Sequence, residues 1–123
     1  MPKIQLLNKI SPIGLKEFGS AYEVGETVGA PDAILVRSAA MHDMPLNPEL
    51  KAIARAGAGV NNIPIDRCAE NGVVVFNTPG ANANGVKELT IAALLLASRD
   101  IIGGVAWANT LTSDVAKSVE MGK

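Results

Sequence analysis

The chain has 123 residues, 48% of them apolar and 19% charged, which excludes a disordered segment and leaves room for one domain with a buried core. A formal net charge of −1, with no run of lysines or arginines, excludes an electrostatic nucleic-acid surface. A single cysteine, Cys68, excludes an internal disulfide and a cysteine-based metal site, and aromatics at 3% make the core aliphatic, as in parallel sheets covered by helices.

Met1-Pro2-Lys3-Ile4 lacks the apolar stretch of a signal peptide, and Ile4 to Leu7 reads as a strand. Ser11-Pro12 places a hydroxyl cap before a proline at the first helical position, which predicts a helix to Gly19. A weaker strand covers Tyr22 to Val24, and the apolar run Ala33 to Val36 predicts a strand buried on both faces. Asn47-Pro48-Glu49 repeats the helix-start signal, with Leu50, Ile53 and Ala54 as the apolar stripe of a short helix. An extended segment near Ala54-Arg55-Ala56 then enters a glycine turn at Gly57 to Gly59. Pro64 opens a helix that carries Cys68, expected as a small buried side chain, and Asn71-Gly72 stops it. Val73 to Phe76 is the clearest strand. Five short strands alternating with helices predict an α/β fold, a flavodoxin-like doubly wound parallel sheet.

The pattern changes after Asn84. Gly85 to Ile102 reads as one long helix, with Leu89, Ala92, Ala93, Leu96 and Ala97 on one face and Ile91, Leu94 and Leu95 on another. A helix apolar on several sides needs cover on several sides. Residues 84–110 are therefore expected to form a homodimer contact. Gly103-Gly104 reads as a break, and Ser113-Asp114 as the cap of a last helix ending near Gly122. The expected division is residues 1–83 and residues 84–123. Leu89 to Ala97 is too short for a membrane span, so no membrane partner is expected and a cytoplasmic protein is.

Gly57-Ala58-Gly59 looks like the opening of a dinucleotide fingerprint. Its third glycine would fall at Asn62, and Pro64 delays the helix, so the fingerprint is set aside. A glycine turn at the carboxyl end of a strand still offers consecutive backbone N–H groups to an anion, with an ordinary strand-to-helix turn as the alternative. Arg37 and Arg55 close two strands, and in neighbouring parallel strands their guanidinium groups would reach the same rim. His42, the only histidine, reads as a solvated loop residue, and Glu88 as a charge that complements its helix dipole. Asn77-Thr78-Pro79-Gly80 reads as a turn, with a hinge or cofactor contact as the alternative. The strand ends carry Asn8, Arg37, Arg55 and Asn77 where a receiver-type regulator needs acids.

Val36-Arg37-Ser38, Arg55-Ala56-Gly57-Ala58-Gly59-Val60-Asn61-Asn62, Asn77-Thr78-Pro79-Gly80 and Lys87-Glu88-Leu89 follow one another here as in the NAD-dependent D-2-hydroxyacid dehydrogenases, which the chain resembles over residues 33–105. The arginine before Ala-Gly-x-Gly-Val is similar to the phosphoglycerate branch. That resemblance implies hydride transfer from 3-phosphoglycerate to NAD, in serine biosynthesis. It implies that the amides around Gly57, Ala58, Gly59 and Val60 hold the substrate carboxylate, with Arg37, Ser38 and Arg55 near the phosphate. Thr78 would lie near the nicotinamide, with residues 77–84 as a hinge. The long helix would belong to a Rossmann cofactor domain. Its Gly-x-Gly-x-x-Gly turn and the family's catalytic Arg, acid and His are not among the 123 residues, so the chain is expected to be an inactive front portion that binds NAD poorly. Other branches of the family, acting on glyoxylate, hydroxypyruvate or lactate, and a non-catalytic flavodoxin-like binding module are the competing expectations.

Overall fold

A computed structural model describes residues 1–122. Five strands, β1 (Lys3–Leu6), β2 (Glu23–Gly25), β3 (Ala33–Val36), β4 (Ala52–Arg55) and β5 (Val74–Phe76), form one all-parallel sheet in the order β2-β1-β3-β4-β5. This is the doubly wound order of flavodoxin-like folds. Its connections include α1 (Pro12–Leu15), continued by a 3-10 helix at Lys16–Ala21, and α2 (Ile65–Glu70). Pro12 opens α1 as its sequence predicts, but the Ser11 side chain makes no capping bond. Gly19, at φ 58, breaks the helical path.

One expected element is overturned. Residues 47–54 form no helix: Asn47 closes a turn, with Leu50 N donating to its carbonyl at 2.9 Å, and the chain is already extended at Ala52. Ile53 and Ala54 pair with Ile34 and Leu35. The spacing Leu50, Ile53, Ala54 fits either element over so short a run. The extended alternative wins because it places Ile53 between two strands with no exposure at all. As a result β3 connects to β4 without a helix.

The core lies on one face of the sheet, where Ile34, Val36 and Ile53 meet Met41, Leu50, Ile63, Cys68 and Val73. Cys68 is buried in α2, and burial pushes its thiol above the ordinary value against the opposing charge of Arg67. On the other face Val74 and Phe76 are more than half exposed. Gly72, at φ 68, ends the turn after α2 and returns the chain to β5 in a conformation that glycine adopts without strain. The amino ends of three strands are joined at Asp32: its carboxylate accepts from Lys3 N at 2.9 Å and Lys51 Nζ at 3.0 Å, while Lys51 N donates to its carbonyl at 2.8 Å.

The chain divides into two compact units, residues 1–81 and the residues from Asn82 onward. The second unit contains α3 (Ala83–Ser98), α4 (Ile101–Ala108) and α5 (Val115–Gly122). The expected single helix from Gly85 to Ile102 is two, bent by 59°. The break falls at Arg99-Asp100 and not at Gly103-Gly104. Asp100 adopts φ 45 and its side chain accepts from Gly103 N, capping α4. Gly103 is needed inside that helix because a Cβ there would collide with the Asp100 carboxylate. Leu89, Leu94 and Leu95 remain well exposed. Among the described residues no single helix is long and apolar enough to cross a membrane; α3 and α4 taken together meet the length and composition.

Candidate functional site

A parallel sheet delivers all its carboxyl ends to one edge, where open α/β folds bind ligands. Four strand ends meet there through side chains. Asn8, after β1, receives three consecutive amides on one oxygen: Arg37 N, Ser38 N and Ala39 N donate to its Oδ1 at 2.8, 3.0 and 3.0 Å. Its Nδ2 donates to Ser38 Oγ at 3.4 Å. This holds the chain leaving β3. Arg37 is exposed, and its guanidinium makes no hydrogen bond or ion pair among the described residues. Its carbonyl accepts from Arg55 Nε at 3.0 Å, and Arg55 Nη1 donates to the Gly59 carbonyl.

The Arg55 guanidinium therefore lies over the glycine turn. A Cβ at Gly57 would stand 3.3 Å from Arg55 Cζ, and one at Gly59 would stand 3.0 Å from Nη1 and 3.2 Å from Asn61 Oδ1. A Cβ at either glycine would press on these side chains, whereas exposed Ala58 lies between them. Nη2 of Arg55 is its one terminal nitrogen left without a bond among the described residues.

Each carbonyl of the turn is anchored by a different donor. Thr78 N donates to Gly57 O at 2.9 Å, Asn77 Nδ2 to Ala58 O at 2.7 Å, and Arg55 Nη1 to Gly59 O. The Thr78 hydroxyl adds a long contact to Arg55 O at 3.4 Å. A trans peptide is planar, with its carbonyl and N–H pointing opposite ways. Anchoring these three carbonyls therefore fixes the outward direction of the Ala58, Gly59 and Val60 N–H groups. None of those three amides has an acceptor among the described residues. Successive unpaired backbone amides beside an arginine are donors for an anion.

Beside the turn lies an open concavity of about 770 Å³, bordered by His42, Val60, Asn61, Ile63, Asp66 and Arg67. His42 is exposed, and its Nε2 meets Asn61 O at 2.9 Å; a carbonyl can only accept, so this nitrogen carries the proton. Arg67 donates to the carbonyls of Met41 and Met44 at 3.2 and 2.6 Å.

A dinucleotide does not fit the turn. Where the fingerprint's third glycine would stand, Asn62 is buried, with Nδ2 donating to Ala39 O at 2.8 Å, so a side chain fills the place where bare backbone is needed. The helix that follows has six residues and starts behind Pro64. Among the described residues no group of three or more His, Cys, Asp or Glu side chains could hold a metal ion.

The structure thus gathers Arg37, Ser38, Arg55, Gly57, Ala58, Gly59, Val60 and Thr78 at one edge of the sheet. Two further residues connect them, Asn8 and Asn77, neither of which sequence reasoning named as a site residue; Asn77 was read only as part of a turn or hinge, and both as strand ends unlike those of a receiver-type regulator. Their signal was available: an asparagine one or two residues beyond a strand, with both an acceptor and a donor to offer the neighbouring loops.

The family model described as D-isomer specific 2-hydroxyacid dehydrogenase, catalytic domain, matches residues 4–120. The D-3-phosphoglycerate dehydrogenase of Mycobacterium tuberculosis is 34% identical over 115 residues, which cover 82% of this chain and 22% of that protein. The hydroxypyruvate reductase of Thermotoga maritima is 38% identical over 82 residues, 64% of this chain and 27% of that one. The solved structure of NAD+-bound 3-phosphoglycerate dehydrogenase from Entamoeba histolytica superposes with a TM-score of 0.65 at 29% identity, covering 77% of this chain and 38% of its own. The chain spans about a fifth to a quarter of the length of these curated relatives. With a matching five-stranded parallel sheet and a family match over nearly its whole length, the chain belongs to the D-isomer-specific 2-hydroxyacid dehydrogenases.

Proposed function

We propose that this chain is the substrate-side portion of an NAD-dependent oxidoreductase that oxidises 3-phosphoglycerate, as in serine biosynthesis in the cytoplasm. The observation that carries the reading is the set of three consecutive amides, Ala58, Gly59 and Val60, left without acceptors while the carbonyls of the same peptide planes are anchored. They would hold the substrate carboxylate. Arg37 has an unpaired exposed guanidinium and would meet the phosphate, with Ser38 beside it; Arg55 would add its charge and Nη2. In this reading residues 1–83 form the substrate-binding domain, Thr78 faces the nicotinamide, and residues 84–123 belong to an interdomain and cofactor-domain segment whose exposed leucines pair two copies of the chain through residues 84–110.

The chain itself does not carry the reaction. The described residues hold no dinucleotide-phosphate turn and no paired acid and base at the site, so hydride transfer is assigned to none of them. Mixing the chain with NAD and 3-phosphoglycerate is expected to form no NADH, and turnover would refute this part of the proposal.

A second reading, reduction of an unphosphorylated acid such as hydroxypyruvate, is favoured by one observation: Arg55 spends Nε and Nη1 on main-chain carbonyls, which leaves less of it for a phosphate. Proton–nitrogen NMR spectra of the labelled chain, titrated with 3-phosphoglycerate and with D-glycerate, separate the two. The first reading requires shifts at residues 58–60 with both ligands and a tighter response to the phosphorylated one. Equal responses favour the second, and silence at these amides removes the anion site.

A further inference from the structure

We infer that Asn77 is a positioning residue for the anion site: it aims the Gly59 amide by holding the Ala58 carbonyl. The inference rests on the reading of residues 58–60 as that site. Asn77 is the first residue beyond β5, and its neighbour Phe76 pairs with Ala54 in β4. The sheet therefore fixes the distance between the two strand ends, and the asparagine side chain spans the remaining gap to reach Ala58 O at 2.7 Å. The atom facing that oxygen must be the amide nitrogen, because a carbonyl accepts and the carboxamide oxygen cannot donate.

The plane held in this way runs from Ala58 C=O to Gly59 N–H. Flanking planes have other anchors: Thr78 N holds the Gly57 carbonyl and so directs Ala58 N–H, and Arg55 holds the Gly59 carbonyl and so directs Val60 N–H. The division of labour makes the effect of Asn77 local to one donor. Glycine at position 59 increases the need for the anchor, since its backbone has the widest conformational freedom and the plane would otherwise rotate readily. Asn77 is exposed, so its hydrogen bond is not there to satisfy a buried group. Its consequence is directional.

The test is an NMR titration of the 123-residue chain with 3-phosphoglycerate, comparing the native protein with Asn77→Leu, which keeps size and neutrality but has no donor, and with Asn77→Ser, which is polar but too short. The Val75 amide in β5 reports that the sheet is intact. Expected in both variants is loss of most of the ligand-induced shift at Gly59, retained shifts at Ala58 and Val60, and binding roughly tenfold weaker, the cost of one hydrogen bond to a charged ligand. Asn77→Gln, which keeps the donor, should recover part of the Gly59 response. Unchanged Gly59 shifts in the variants overturn the inference, as does an equal loss at all three amides, which would mean that Asn77 merely supports the whole turn. A native chain silent at all three amides refutes the anion site itself, and the inference with it.

Discussion

Arg55 donates from Nε to the backbone carbonyl of Arg37 at 3.0 Å, so the two arginines at the rim are joined through one side chain and one main chain. The same guanidinium holds Gly59 O, and it therefore acts as a brace between the end of β3 and the glycine turn. Lysine keeps the charge but lacks the planar fork whose Nε and Nη1 reach these two carbonyls. Arg55→Lys should therefore weaken the response of the chain to D-glycerate as well as to 3-phosphoglycerate, because it loosens the shared carboxylate donors, and should weaken the phosphorylated ligand further, because it removes Nη2. Arg37→Ala, which removes an unpaired guanidinium, should weaken only the phosphorylated ligand. Titrations of both variants with both ligands check this. A loss confined to 3-phosphoglycerate in Arg55→Lys would mean that Arg55 acts on the phosphate alone and does not brace the turn.

Asn8 stabilises the opposite side of that brace. One oxygen satisfies the Arg37, Ser38 and Ala39 amides, of which the last is partly buried. Asn8→Ala removes the acceptor while water replaces only part of it, and should cost about 1–2 kcal/mol of stability. Asn8→Asp keeps the oxygen and places a negative charge among three N–H groups; it gives up only the weak bond to Ser38 Oγ and should stay within about 0.5 kcal/mol of the native chain. Urea unfolding of the three proteins gives the order.

Strand content was legible wherever a short apolar run lay between turn residues, as at Ala33–Val36 and Val74–Phe76. At Ala52–Arg55 only the end of the strand was legible, as the extended segment near Ala54-Arg55-Ala56, because Leu50, Ile53 and Ala54 fit a helical stripe and the deciding fact, pairing with β3 on one side and β5 on the other, is nonlocal. The Gly103-Gly104 misreading has a different cause. Glycine there admits the Asp100 carboxylate to a helix start, and a residue at φ 45 that makes the break possible leaves no mark in composition. The glycine turn and its arginines could be read as a candidate anion site from residue types alone. That Arg55 faces its own backbone, and that two asparagines set the geometry, required the register of four strands.

At the other end of the sheet the Asp32 carboxyl is held below its ordinary value of 3.8, first by the Lys3 backbone amide and then by Lys51. A carboxylate whose pKa is lower in the folded chain than in the unfolded one contributes stability that is fully present above the unfolded value and is lost as pH falls through the folded one. The midpoint of thermal unfolding should therefore fall as pH drops below about 3.8 for the native chain. Asp32→Asn should be less stable than the native chain at pH 7 and should show a flatter acid limb. Added salt should change little, because the Lys51 ammonium is 78% exposed and its pairing with Asp32 is already screened by water. An unchanged acid limb in Asp32→Asn would assign the acid sensitivity to other carboxylates.

Gly59 makes the sharpest test of the Arg55 brace, because its cost should disappear when the brace is removed. A Cβ there would stand 3.0 Å from Arg55 Nη1 and 3.2 Å from Asn61 Oδ1, and at Gly57 it would stand 3.3 Å from Arg55 Cζ. Neither glycine has a positive φ, so alanine brings no backbone strain and even restricts the unfolded chain. The penalty must come from displaced side chains. Gly59→Ala should destabilise by about 1 kcal/mol, the order of the hydrogen bond that Arg55 would have to give up, and Gly57→Ala by less. In an Arg55→Ala background the obstruction at Gly59 is reduced to Asn61, and the same substitution should become neutral or slightly stabilising. A double-mutant cycle by urea unfolding measures that coupling directly. Additive effects would mean that the guanidinium does not constrain the turn, and the requirement for glycine would then have to come from the ligand.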